Sequence, residues 1–227
     1  MRSRRILPWA VALMSAAPAA AAPPNPDRPS FSRTGFLVAD RSVELEGGFN
    51  WAAGAPAGTL MPKLGLGRLE PRVGIDLFSG GAAFTPGLKV GLLQQSGLGL
   101  AAHAHVGVPT GGGGTTGEAG GLLTGMLAGG QVLQANLGVR TTMSDAGVTV
   151  VDVPLAGLLG LPLGKRWSAF GEGVLLLRQA DAPVQLNTGL GCSITQSMVL
   201  DTALSWTPGS NTIGATAGLT ANFGQFR

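Results

Sequence analysis

The sequence predicts an all-β protein of about twelve antiparallel strands, and three observations carry this prediction. Glycine supplies 38 of the 227 residues, and residues without a side chain are poor helix formers. Apolar residues alternate with small or polar ones at a period of two, which is the pattern of strands. Only 12% of the residues are charged and 44% are apolar, so a disordered chain is excluded. Cys192 is the single cysteine, which excludes a disulfide framework.

Residues 1–22 have the layout of a secretory signal peptide. Three arginines among the first five residues precede an apolar run, residues 6–14, and small residues follow with Ala-x-Ala cleavage points up to Ala22. The run is too short to span a bilayer as a helix. Removing those arginines leaves twelve basic residues to balance twelve acidic ones. A neutral mature chain lacks the clustered positive charge of nucleic-acid binding, so no nucleic-acid partner is expected.

The mature chain divides into a proline-rich lead-in, residues 23–40, and an alternating region, residues 41–227. In its last segment, odd positions from Ile213 to Phe223 are apolar, whereas even positions carry Gly, Thr and Asn. The predicted strands are about 42–53, 60–67, 69–79, 84–95, 98–109, 120–129, 131–143, 147–161, 166–178, 182–193, 197–207 and 211–224. Ten or fourteen strands are the neighbouring possibilities.

The composition of the strand faces favours an antiparallel transmembrane β-barrel of the outer-membrane type over a soluble sandwich. A soluble sandwich needs a well-charged outer face, whereas the second face here is mostly Gly, Ala, Ser, Thr and Asn. Small polar residues suit a narrow lumen, and the apolar face then meets lipid. An even strand number places both termini on the periplasmic side. Barrels of this type carry aromatic residues at both rims, and the predicted girdle is Trp51, Trp167, Trp206 and Phe223.

Parts of the chain resemble the outer-membrane transporter proteins of the MetA-pathway of phenol degradation family. The resemblance rests on residues 27–32 (Asp-Arg-Pro-Ser-Phe-Ser), a first strand with Leu-Glu-x-Gly at 45–48, a turn at 66–73 and the closing residues 222–227. It implies a bacterial outer-membrane barrel that admits small organic molecules. It also implies that the final strand, with Phe226, is read by the barrel-insertion machinery. It supplies no catalytic residue.

The charged and histidine side chains of the strands are predicted to line the lumen. The cations and most of the carboxylates belong to different strands of the predicted barrel. We therefore expect the cations on one wall of the lumen and most carboxylates on the opposite wall. If the lumen is open, such walls favour polar or dipolar solutes; alternatively, ion pairs across it close it. The predicted lumen-lining residues are Glu44, Glu46, Lys63, Arg72, Asp76, Lys89, His103, His105, Arg140, Glu172 and Asp201.

Few residues in the sequence are candidates for a metal site, a catalytic nucleophile or a phosphate-binding loop. His103 and His105 share one strand face, but two ligands without a third make a weak metal site, so no metal or cofactor is predicted. No serine is marked as a nucleophile, and the protein is not expected to be an enzyme. The glycine run at 111–114 lacks the lysine and helix of a phosphate-binding loop.

The expected function is therefore that of a monomeric barrel in the outer membrane of a Gram-negative bacterium, a passive channel or transporter for small organic molecules. Its expected partners are outer-membrane lipid, the insertion machinery and small solutes. A structural or adhesion barrel closed by ion pairs, and a barrel hydrolase, are the alternatives. Residues 23–40 are expected to tuck into the periplasmic mouth, because Phe31, Phe36, Leu37 and Val38 are unsuited to water.

Overall fold

The computed structural model describes residues 24, 26–27, 31–52, 55–111, 114–178 and 182–226. The predicted signal peptide, residues 1–22, lies outside them. None of the described residues forms a helix long and apolar enough to cross a membrane.

Twelve strands among the described residues form one closed antiparallel barrel, which confirms the predicted fold class. Each strand pairs with its neighbours in sequence, and β1 also pairs with β12 to close the ring. The strands are β1 (Ser42–Ala52), β2 (Ala55–Leu64), β3 (Leu69–Phe78), β4 (Gly81–Gln95), β5 (Leu98–Pro109), β6 (Thr115–Met126), β7 (Val132–Met143), β8 (Thr149–Pro162), β9 (Trp167–Leu177), β10 (Val184–Thr195), β11 (Met198–Thr207) and β12 (Thr212–Gln225).

Two strand starts differ from the prediction. β2 begins at Ala55 and β6 at Thr115, so the predicted starts at 60 and 120 are wrong. Glycine, proline and threonine near both starts read as turn residues. The backbone pairing continues through them nevertheless, with Ala52 opposite Ala55 and Thr115 opposite Met143.

The outer face of the barrel is an apolar surface. Large side chains such as Leu77, Leu137 and Ile213 are more than half exposed, although folded soluble proteins avoid apolar patches of this extent. Their neighbours along each strand point inward because successive side chains alternate between the two faces. Such a band fits the hydrocarbon of a bilayer.

Candidate functional site

The lumen contains part of the chain's own lead-in. The residues concerned, 24, 26–27 and 31–40, are here called the lumen segment. It contacts inward-facing side chains of β1, β3, β4, β6, β7 and β9. Phe31 and Ser32 reach Glu172 in the middle of β9. This is deeper than the mouth of the barrel, where the sequence places the segment.

Seven ionisable side chains form one buried network, here called the charge cluster, on the wall made by β1–β4. Six come from the strands and one comes from the lumen segment. Each is at most 8% exposed, so its charge depends on partners rather than on water. The described members are Asp27, Glu44, Glu46, Lys63, Glu70, Arg72 and Lys89.

Asp27 of the lumen segment lies at the centre of the charge cluster. Its Oδ2 atom lies 2.5 Å from Arg72 Nη1 and 3.2 Å from Lys63 Nζ. Its Oδ1 atom lies 3.8 Å from Lys89 Nζ, and its backbone N–H donates to Glu46 Oε1 at 2.7 Å. Burial alone would raise the pKa of the Asp27 carboxyl, but the three cations, Arg72 first, hold that pKa well below its usual range. Asp27 is therefore a charged anchor of the segment.

The predicted separation of charges onto opposing walls is wrong for the charge cluster. Lys63 and Glu44 are direct partners in the β1–β2 register, with Nζ and Oε1 3.2 Å apart, and Lys63 also contacts the Glu46 carboxylate. Lys89 and Glu70 are likewise partners across β3–β4, with Nζ 3.4 Å from Oε2. The order of strands in a closed barrel is cyclic, so β1 adjoins β2 as well as β12. Opposite charges thus meet on neighbouring strands.

On the far wall, Glu172 binds the backbone of the lumen segment. Its carboxylate accepts the N–H of Phe31 at 2.8 Å and that of Ser32 at 2.5 Å. Asn187 Nδ2 donates to the same carboxylate at 2.5 Å. Hydrogen bonds to an ionised acceptor are about twice as strong as neutral ones, so Glu172 is a second anchor.

Arg33 forms a third attachment, at β5–β7. Its Nη1 donates to Glu118 Oε1 at 2.6 Å and lies 3.2 Å from His103 Nδ1. The side chain of Asn136 accepts the N–H of Arg33 at 3.1 Å and donates to its carbonyl at 2.9 Å. The ligand atoms of His103, His105 and Glu118 lie within 4.8 Å of one another, so the structure adds the third candidate metal ligand that the two histidines lack in the sequence.

The lumen segment returns to the end of the barrel through close backbone contact. Thr124 Oγ1 accepts the N–H of Gly35 at 2.8 Å, and Glu70 Oε2 accepts that of Val38 at 2.8 Å. A Cβ atom on Gly35 would lie only 2.3 Å from the carbonyl oxygen of Gly99 in β5. Glycine is therefore required where the segment crosses this wall.

The remaining predicted lumen residues lie inside the barrel without joining the charge cluster. Asp76 and His105 line a cavity of about 310 Å³ beside Arg33, and Asp201 is buried beside a larger one. Arg140 lies over the ring of Phe31, with 5.4 Å from its Cζ to the ring centroid. The inward positions thus surround the lumen segment.

Three carboxylates at the centre of these contacts, Asp27, Glu70 and Glu118, are absent from the predicted set. Glu70 stands two residues before Arg72, so the alternation of β3 could have placed it inward. Glu118 precedes the predicted start of its strand at 120. Asp27 lies in a segment without periodicity, and no signal in the sequence indicates its position.

The four predicted girdle residues lie on the outer face. Trp51, Trp167, Trp206 and Phe223 are each about half exposed. Trp51 and Trp206 stand near the ends of β1 and β11, whereas Trp167 and Phe223 stand at the opposite end of the barrel.

The lumen segment divides the interior into separate cavities. One of about 590 Å³ lies between the segment and the β6–β11 wall, where Phe36, Leu158 and Phe170 give it an apolar lining. Another of about 350 Å³ lies beyond Phe31, toward Asn50 and Ser205. The lumen segment and the side chains that bind it lie between these two cavities.

Comparison with solved structures finds the same fold in bacterial porins and channels. The KdgM porin, in complex with disordered oligogalacturonate, aligns with a TM-score of 0.65 and 6% identity over 82% of this chain and 99% of that chain. The NanC porin aligns with a TM-score of 0.63 and 8% identity over 79% and 98% of the two chains. An outer-membrane channel of Pseudomonas putida F1 aligns with a TM-score of 0.60 and 10% identity over 82% and 97%.

Comparison at the level of sequence, by contrast, finds no match. No protein-family model matches the chain, and no curated protein matches it significantly. The resemblance to the phenol-degradation family stays a prediction. The shared property is the fold: this chain has the architecture of outer-membrane barrel porins and channels.

Proposed function

We propose that this protein is an outer-membrane channel for small organic molecules, closed by its own lumen segment in the described state. One observation carries the proposal: the segment is anchored on both walls of the barrel, with unfilled cavities beside it. A plug held by separate contacts can leave without disturbing the strand pairing. Its departure would join the cavities into a path.

We further propose that the solutes are small and uncharged, with apolar surface. The cavity of about 590 Å³ is lined mostly by apolar atoms, and pockets of this kind suit apolar ligands. The KdgM neighbour was solved with oligogalacturonate, an acidic oligosaccharide. Lys63, Arg72 and Lys89 here are already paired with carboxylates, which disfavours such a polyanion.

The proposal extends to the membrane, to the insertion machinery and to export of the chain. The apolar outer face would be covered by outer-membrane lipid, and the C-terminal strand would be recognised by the insertion machinery. Residues 1–22 would direct export and be cleaved. The absence of enzymatic activity stays a prediction.

Planar-bilayer recording of the refolded mature chain tests the proposal. Deleting residues 23–38 removes every anchor of the lumen segment but no strand, so conductance should rise strongly above that of the wild-type protein. Swelling of liposomes that contain the deletion variant should be faster with a neutral aromatic solute than with an acidic sugar of similar size.

A point variant gives the matched control. Gly35→Ala places a Cβ against the wall at Gly99 and should also raise conductance, whereas Gly209→Ala adds a Cβ with no atom within 4 Å and should not. Silence of the deletion variant would contradict the channel and favour the structural barrel. Equal conductance of wild type and deletion would contradict the plug.

A further inference from the structure

Two histidines and one glutamate converge at the place where Arg33 enters the wall. His103 and His105 point inward from β5 with their rings stacked, the centroids 5.8 Å apart. Glu118 lies directly across the β5–β6 register from His105. All three ligand atoms lie within 4.8 Å of one another, whereas a tetrahedral metal with bonds of about 2.1 Å holds its ligand atoms about 3.4 Å apart. Small side-chain rotations would close that difference.

The guanidinium of Arg33 contacts two of the three candidate metal ligands, His103 and Glu118. Arginine has no acceptor, so Arg33 Nη1 donates at 3.2 Å to His103 Nδ1, which must carry a lone pair. The same nitrogen donates to Glu118 Oε1 at 2.6 Å. A single cationic group thus occupies the position between an imidazole nitrogen and a carboxylate oxygen.

The strands leave room for this arrangement. Gly120 faces His103 across the β5–β6 pairing, and a Cβ there would lie 3.1 Å from His103 Nε2. The cavity of about 310 Å³ beside both histidines gives access and space for water as a further ligand. Glu118 Oε2, which lies 3.7 Å from Arg140 Nε, has a partner of its own, so Oε1 is the oxygen turned toward the site.

We propose that His103, His105 and Glu118 form a binding site for a divalent transition metal of the Zn²⁺ type, and that Arg33 occupies this site as a tethered cation. Two imidazoles and a carboxylate are a donor set that such metals prefer. Metal and Arg33 then exclude each other, so binding of the ion removes one attachment of the lumen segment. Metal binding itself does not depend on the proposed channel function.

Calorimetric titration of the refolded, untagged mature chain with ZnCl₂ in detergent tests the site. Arg33→Gln should bind Zn²⁺ at least about tenfold more tightly than wild type, because occupancy by Arg33 multiplies the intrinsic affinity by the fraction of sites that are free, which is below one. Arg178→Gln is the matched control. It removes the same charge from the pair with Asp152, where Nε and Oδ1 are 2.6 Å apart, and should leave Zn²⁺ binding at the wild-type level.

Removing ligands in the Arg33→Gln background completes the test. Adding His103→Gln or Glu118→Gln should abolish the gain, and circular dichroism should show an unchanged β-barrel. If one of these double variants does not fold, His105→Asn takes its place. The proposal is overturned if Arg33→Gln binds Zn²⁺ no more tightly than wild type, or if the gain survives loss of His103, His105 or Glu118. Neither outcome requires the protein to conduct, so failure here is distinct from failure of the channel proposal.

Discussion

The two walls of the lumen hold the same segment by different means. The β1–β4 wall supplies a dense set of buried charges around Asp27. The β6–β11 wall supplies Glu172, Thr124 and Asn136 for the backbone of the segment, beside a cavity lined mostly by apolar atoms. The wall of paired charges binds the segment tightly, and the segment fills the part of the lumen beside this wall. The opposite wall binds it mainly through hydrogen bonds to the backbone and leaves the space that a solute would use.

The largest expected effect of a point substitution comes from the charged wall. Asp27→Asn removes the anion that faces three cations and should weaken docking by about 3 kcal/mol. The open fraction in planar bilayers should rise about 100-fold, up to saturation. Asp145→Asn, in the exposed turn between β7 and β8, is the control. An unchanged open fraction for Asp27→Asn would contradict the role of this wall.

A smaller effect is expected on the opposite wall. Glu172→Gln keeps one acceptor but loses the negative charge toward Phe31 and Ser32, which should weaken docking by about 1.5 kcal/mol and raise the open fraction about tenfold. Asp152→Asn makes the same chemical change at a carboxylate paired with Arg178. If Glu172→Gln exceeds Asp27→Asn, the ranking of the two walls is wrong.

Solute passage should depend on the cavity of the β6–β11 wall. In the variant lacking residues 23–38, Leu158→Trp adds bulk to the inward face and should slow liposome swelling with neutral aromatic solutes a few-fold. Leu159→Trp changes the neighbouring residue, which points outward and is exposed. Equal swelling of both variants would show that solutes do not use this cavity.

The pH dependence should be the smallest effect. The pKa of Asp27 is lowered when the segment is docked, so this carboxyl stabilises docking fully above its undocked pKa and loses that contribution as the pH falls through the docked value. The ratio of open fractions of Asp27→Asn and wild type should therefore be constant from about pH 8 to about pH 5 and shrink only in more acidic solution. A ratio that shrinks near neutral pH would contradict the assignment.

The sequence predicts the strands well because alternation is a local property. It fails where structure depends on closure or on a segment without a period. Lys63 and Glu44 are paired because β2 lies beside β1 in the ring, whereas a grouping of charges by strand number predicts that they lie on opposing walls. Glu118 is missing from the predicted lumen residues because glycines and threonines at the start of β6 are typical of turns, although the strand begins at Thr115. Asp27 lies in irregular chain, and only the three-dimensional structure shows that its cationic partners lie on β2–β4.

The sequence separations of the two anchors imply an order of assembly. Asp27 is 19 residues from Glu46 and 45 from Arg72, whereas Phe31 is 141 residues from Glu172. Contacts close in sequence cost less chain entropy and form sooner. The segment can therefore settle on the first four strands while later strands are still unpaired, and the growing sheet then curls around it until β12 meets β1. In this order the barrel is built around its contents, and the buried charges on the first strands are neutralised before the ring closes.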